Sequence, residues 1–281
     1  MIRIVSDSTC DFPPARLAEL GVHIVPIHLF FGSDEYQEGV TLGYHEFYRK
    51  VDELGIVPKT SQPAPSDFVL AYRQLAAEGA REILSIHVTG KLSGTVRSAQ
   101  MAADIVRDEV KVHVFDSLCG STAMAFMVEE ACEMLAAGAG SAEVLARWEA
   151  IRPTVRILFY LDTLKYARMS GRVGALQSSF AAMLQIKPLI TLNDGVLEMS
   201  ERVRSRRAAL ERLTALAAQH AAGRPLKLAV VHAEDPVGAQ ALLAQIQQTL
   251  DCRQALICPL ATSLVVNLGV GTLGIAFYPE L

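Results

Sequence analysis

Short β-prone runs alternate with segments of helical period through the first half of the chain, and this alternation constrains the fold more than any other feature. Arg3-Ile4-Val5 is a short strand ending at Asp7-Ser8, and Val22 to Phe31 is a second β-rich run. Ile83 to Val88 reads as a buried strand, and Val110, Val112 and Val114 alternate as in a strand that ends at Asp116-Ser117. Between them, Phe68, Val69, Tyr72, Leu75 and Ala76 recur at helical spacing behind Ser66 as N-cap, and Gly79 stops that helix. Gly90 to Thr95 is a loop, from which a helix runs to about Val106. A further helix carries Met124, Met127, Val128, Ala131, Met134 and Leu135 on one face. Repetition of this kind predicts a parallel sheet covered by helices.

A second region starts near Arg152-Pro153. Arg156 to Leu161 is strand-like, and Val173 to Ile186 reads as an apolar helix. Pro188 to Leu192 and Val196 to Met199 flank Asn193-Asp194-Gly195, a good hairpin signal. A helix over Ala208 to Ala222, a strand over Leu226 to His232, a helix over Val237 to Leu250 and strands over Leu256 to Pro259 and Gly274 to Tyr278 complete the pattern. An antiparallel hairpin inside an α/β pattern implies a sheet separate from the first. The expected domains are residues 1–152 and 153–281.

With 281 residues, 51% hydrophobic and 20% charged, the chain has ample material for a core. Its net charge of −4 lacks the basic excess of a protein that coats nucleic acid. No apolar run is long enough to span a bilayer, and the amino terminus lacks the charged and apolar regions of a signal peptide. Cys10, Cys119, Cys132, Cys252 and Cys258 form no C-x-x-C pair, which fits a reduced, cytoplasmic protein without integral membrane association.

The obvious chemistries fail on context. Gly269-Val270-Gly271-Thr272-Leu273-Gly274 matches G-x-G-x-x-G, but no room remains for the helix and strand a dinucleotide site requires. It reads as a glycine-rich turn before a last strand. Gly90-Lys91 lacks both the first glycine and the following hydroxyl of a P-loop. Ser93 is one position late for G-x-S-x-G, and no motif sets a histidine beside it, so a small serine hydrolase using Ser93 is the weaker alternative. The seven histidines form no close metal pair. His23 and His28 read as opposite faces of one strand.

Asp7-Ser8 and Asp116-Ser117 close strands, where they either line a site or make turn hydrogen bonds. Two further clusters stand out. Thr60-Ser61-Gln62-Pro63 and Ser93-Gly94-Thr95 concentrate hydroxyls in loops leading into helices, whose free N–H groups suit an anion. Arg168 and Arg172 surround Met169-Ser170-Gly171, and Arg202, Arg204, Arg206 and Arg207 follow. Arginine holds carboxylates and phosphates with paired hydrogen bonds, although N-caps and a solvated helix start account for the same residues.

These segments, in this order, resemble the DegV family of bacterial fatty-acid-binding proteins. The matching pieces are Asp7-Ser8-Thr9, Thr60-Ser61-Gln62-Pro63, Ser93-Gly94-Thr95, Asp116-Ser117, Gly171-Arg172-Val173, Lys187-Pro188-Leu189-Ile190 and Gly269 to Phe277. The resemblance implies an amino-terminal α/β/α domain with a parallel sheet and a carboxyl-terminal α/β sandwich with a mostly antiparallel sheet. It implies one long-chain fatty acid between them and no cofactor. The lipid carboxylate is then held by Thr60, Ser61, Ser93, Gly94, Thr95 and the residue at 267, with Arg172 and Arg204 near the head group or facing a partner. That partner is a separate fatty acid kinase, which makes an acyl phosphate for phospholipid synthesis. A dihydroxyacetone-type ligand domain, related in fold, would instead need a small wet pocket. One departure stands out. The family's final motif usually reads His-Thr-Gly-Pro-Gly, and here it is Asn267-Leu268-Gly269-Val270-Gly271. Asn267 does not titrate, but its amide still donates.

Overall fold

The computed structural model describes residues 1–172 and 186–280. In chain order, the amino-terminal half contains β1 (Ile2–Asp7), α1 (Pro14–Glu19), β2 (His23–Val25), β3 (His28–Phe31), β4 (Asp34–Gln37), α2 (Tyr44–Leu54), β5 (Lys59–Ser61), α3 (Pro65–Ala77), β6 (Glu82–His87), α4 (Thr95–Ile105), β7 (Lys111–Asp116), α5 (Ser121–Ala136) and α6 (Ser141–Ile151). After a 3-10 turn at Arg152–Thr154 come β8 (Arg156–Tyr160), α7 (Lys165–Ser170), β9 (Lys187–Asn193), β10 (Val196–Val203), α8 (Arg206–Ala221), β11 (Leu226–His232), α9 (Pro236–Gln247), β12 (Cys252–Pro259), α10 (Thr262–Leu268) and β13 (Leu273–Pro279). The helix expected over Val173 to Ile186 falls on 173–185, outside the described residues.

The fold is mixed α/β, as the alternation implies. A parallel sheet runs in the order β2-β1-β6-β7. A second sheet runs β10-β9-β8-β13-β11-β12, antiparallel except at the β11–β12 pair. β13 lies inside this sheet, and all seven of its residues are buried. The Asp-Gly turn is present, with Asp194 and Gly195 both at positive φ, as a two-residue turn that matches strand twist requires.

Helix α5 joins the layers. It packs on β1 and β6 on one side and on β11 and β13 on the other. Its residues from Ser121 to Glu129 are all buried, so the one-face expectation is corrected: a helix between two sheets is covered all round. One apolar cluster therefore runs from Ile4 in β1 through Phe126 and Met127 to Tyr278 in β13.

Two local readings are also corrected. Val22 to Phe31 is not one strand. Pro26 separates β2, in the parallel sheet, from β3, which joins a third sheet of order β4-β3-β5. His23 and His28 thus belong to different sheets. Ser66 does not cap α3. Pro65 opens that helix with its fixed φ, Ala64 is the N-cap, and the Asp67 carboxylate accepts from Ala64 N at 2.8 Å.

Candidate functional site

The parallel strands β1, β6 and β7 end on one rim, and the loops that follow them face the inner side of the second sheet. A cavity of about 820 Å³ lies between. That volume is within the usual range for small-molecule sites. Ile157 and Phe159 of β8, Leu192 of β9, Leu197 of β10 and Val231 of β11 give it an apolar wall. Ile27, Val88, Val96 and Cys119 come from the amino-terminal half, and Leu260, Leu264 and Leu268 from α10 and the residues before it.

The polar groups come from four elements. Thr60 and Ser61 end β5, with Gln62 beside them. Ser93 and Gly94 precede α4, and the Gln62 side chain lies 3.1 Å from where a Cβ on Gly94 would stand, so the two hydroxyl loops touch. Helix α10 carries Asn267 and packs against both β5 and α7, the helix that ends just before Arg172. The cavity thus brings together Thr60, Ser61, Ser93, Gly94, Asn267 and Arg172. Thr95 is buried behind them, with its Oγ1 2.8 Å from Ser93 Oγ. Arg204 is exposed and outside the cavity lining. Arg206 is paired with Asp235, and Arg207 with Glu211 at 2.9 Å.

Many hydroxyls border the cavity, but most have committed their proton. Thr9 donates to Asp7 at 2.5 Å, Ser121 to Asp11, and Ser263 to Glu38 at 2.7 Å. Thr89 donates to Gly195 O, Thr272 to Gly269 O and Ser61 to Gln62 O. Among the described residues, the cavity hydroxyls left with a proton for a ligand are Thr60 and, through the shared bond with Thr95, Ser93. Asn267 adds a donor. One Nδ2 hydrogen reaches Ser263 O at 2.8 Å, and the second is free. These donors border one cavity and suit an anion or carbonyl acceptor.

Beside the cavity lie three buried carboxylates that sequence reasoning did not join. Burial would raise the Asp7 carboxyl, but hydrogen bonds from His87, Thr9 and Val88 N outweigh it and hold Asp7 below the usual range. Burial pushes Asp11 well above that range, although it accepts from Ser121 and from Ala261 N. Glu38 is also raised by burial. The Cys119 thiol is pushed up to about 12 by burial and stays protonated at neutral pH.

The structure also contains an order of contacts that sequence alone hid. Asp7 Oδ2 lies 3.1 Å from His87 Nδ1, and His87 Nε2 lies 2.7 Å from Ser85 Oγ. Carboxylate, imidazole and hydroxyl in that order define a hydrolase triad. Here all three residues are fully buried, none borders the cavity, and the Tyr72 hydroxyl covers Ser85 at 2.8 Å. No reacting carbonyl reaches Ser85. Ser93, which does face the cavity, is bonded to Thr95 and not to a histidine. The Asp7-Ser8 and Asp116-Ser117 strand ends serve both suggested roles. Asp7 closes its own turn, while Asp116 lines the cavity and accepts from Gly90 N and Leu118 N.

The described residues hold no group of three or more potential metal ligands, and none of their helices is long and apolar enough to cross a membrane. A family model described as "Uncharacterised protein, DegV family" matches residues 1–280. A DegV domain-containing protein of Deinococcus radiodurans is 34% identical, over 99% of this chain and 98% of that protein. The structure described as fatty acid binding of a DegV family protein from Thermus thermophilus is 32% identical, with a TM-score of 0.92 and 99% of each chain covered. DegV of Bacillus subtilis, described as a fatty acid binding protein, is 27% identical, with a TM-score of 0.90 over 99% of both chains. A family match over residues 1–280, a 34% identical relative aligned end to end and a structural likeness over 99% of both chains make this chain a member of the DegV family.

Proposed function

We propose that the chain is a cytoplasmic, non-catalytic carrier that binds one long-chain fatty acid between two domains, residues 1–152 and 153–281. The single observation that carries this reading is the cavity itself, with apolar walls and uncommitted donors on β5, on the loop before α4 and on α10. The likeness to fatty-acid-binding DegV proteins supports it. The energetics agree. Burying about fourteen methylenes contributes roughly 11 kcal/mol at about 0.8 kcal/mol each. Association costs about 4–15 kcal/mol. The tail therefore supplies affinity, and Thr60, Ser93 and Asn267 orient the carboxylate, with Ser61, Gly94 and Thr95 completing the loops that hold them.

The carboxylate is then presented to a separate fatty acid kinase. Arg172 at the cavity and Arg204 on the open surface are suited to that partner or its phosphates. The hydrolase reading loses ground because Ser93 has no base. Organic extraction of protein purified from a bacterial host, followed by mass spectrometry, tests the proposal. A fatty acid at about one per chain is expected. Delipidated protein that binds no C14–C18 acid refutes it.

A further inference from the structure

Glu38 directly follows β4, outside the resemblance motifs in sequence, and its side chain is buried. Its carboxylate has no cation beside it among the described residues and instead accepts four hydrogen bonds. Oε1 accepts from Thr262 Oγ1 at 2.7 Å and from Ser263 N at 2.6 Å. Oε2 accepts from Ser263 Oγ at 2.7 Å and from Ser8 Oγ at 2.5 Å. A buried anion held by four donors fixes those donors as firmly as they fix it, since losing any one leaves charge unsatisfied.

Three of the donors belong to the first turn of α10. The fourth, Ser8, in turn accepts from Ile27 N at 2.9 Å, and Ile27 lines the cavity. The seven-residue α10 presents Ser263, Leu264, Asn267 and Leu268 to the cavity. Asn267 is tied back to Ser263 O, one turn earlier. The rotation of α10 about its axis therefore depends on Glu38, and so does the aim of the Asn267 amide. Glu38 also keeps the Ser263 proton out of the cavity.

We propose that Glu38 is a positioning residue for the head-group site, setting the direction of the Asn267 donor by clamping the first turn of α10 to the loop after β1. The inference rests on the fatty-acid reading and names what makes that site select an acid. A clamp of this kind acts on the head group and leaves the apolar wall in place. Its loss should weaken an acid more than the matching ester, which has the same tail and no charge.

The experiment measures the affinities of hexadecanoic acid and its methyl ester for delipidated parent, Glu38→Gln and Thr262→Val. Thr262 does not line the cavity, and Glu38→Gln keeps the shape and one accepting oxygen where Glu38→Ala risks the fold. Glu38→Gln is expected to lower the acid-over-ester preference about tenfold, the effect of a weakened hydrogen bond to a charged group, while ester affinity stays within about twofold. Thr262→Val should lower the preference by a smaller factor, and the double variant should fall no further than Glu38→Gln alone. Acid and ester affinities that drop together, or a preference that does not change, overturn the proposal. A parent that binds neither compound refutes the fatty-acid reading itself, a result distinct from either.

Discussion

Gly274 closes the G-x-G-x-x-G run, and its environment predicts what that glycine is for. It sits in β13, opposite Phe159 of β8 and Val231 of β11. A Cβ there would stand 2.6 Å from Leu158 O and 3.0 Å from Phe159 Cα, with Phe159 Cβ closer still. Ordinary carbon contacts lie at about 3.5–4.0 Å. The obstructing atoms are main chain or Cβ, so no rotamer change relieves them. Gly274→Ala must instead push β13 away from β8. Overpacking of this kind costs about 1–3 kcal/mol. Stretching one or two ladder hydrogen bonds adds about 1 kcal/mol each. A loss of about 3–4 kcal/mol is expected, or roughly 6–15 °C in thermal midpoint for a chain of this size. Phe159 also lines the cavity, so fatty acid affinity should fall in whatever fraction remains folded. Thermal and urea unfolding of the variant provide the measurement. Stability within about 1 kcal/mol of the parent would refute the β8–β13 register and with it the packing role of the glycine.

Proton accounting separates neighbouring hydroxyls: Thr60→Val and Ser93→Ala should each weaken fatty acid binding by about 1–3 kcal/mol, and Ser61→Ala by much less, as titration calorimetry would reveal. Acyl ester hydrolysis by the parent that Ser93→Ala abolishes would favour an enzyme instead. Asn267→His should introduce a pH slope between about pH 5.5 and 8, tighter on the acid side, where the parent profile is nearly flat; identical profiles would mean that position 267 does not meet the carboxylate. Asp11 is raised by burial, so the folded state holds its proton over a window above the usual carboxylate range in which the unfolded state has lost it, and stability falls as pH rises through that window. Asp11→Asn keeps an acceptor for Ala261 N and is neutral at every pH, so it should lie close to the parent at pH 4 and gain on it as pH rises to 7 in chemical unfolding.

In the parallel sheet, β1 and β6 were legible because they are mostly buried and read as short apolar runs, and β7 because its valines alternate. The third sheet was not. Asp34–Gln37 and Lys59–Ser61 are three or four residues long, polar and without alternation, and only pairing with β3 makes them strands. Helix α10 was hidden for a related reason. Seven residues give no usable period, and its first turn is secured by a carboxylate 225 positions away. The hydroxyl loops of the site were visible because small polar residues before a helix are a local pattern. Which of the other cavity hydroxyls keeps a proton depends on partners across the fold, as Ser121 on Asp11 and Ser263 on Glu38 illustrate.

That dependence explains how an acidic wall and an anionic ligand can share one cavity. Asp7, Asp11 and Glu38 lie just behind it, and unscreened they would repel a carboxylate. Each instead accepts a hydrogen bond from a cavity hydroxyl, Thr9, Ser121 and Ser263 in turn, and another from a backbone N–H group. Those hydroxyls then offer lone pairs to the cavity and no donor, so this wall has nothing with which to hold an anion. The uncommitted donors of Thr60, Ser93 and Asn267 lie on β5, the loop before α4 and α10, with Lys91, Arg97 and Arg172 also at the cavity. A carboxylate gains hydrogen bonds among them and loses them at the acidic wall. On the fatty-acid reading, the head group would be oriented by two features at once, the donors that attract it and the buried acids that occupy the hydroxyl protons elsewhere.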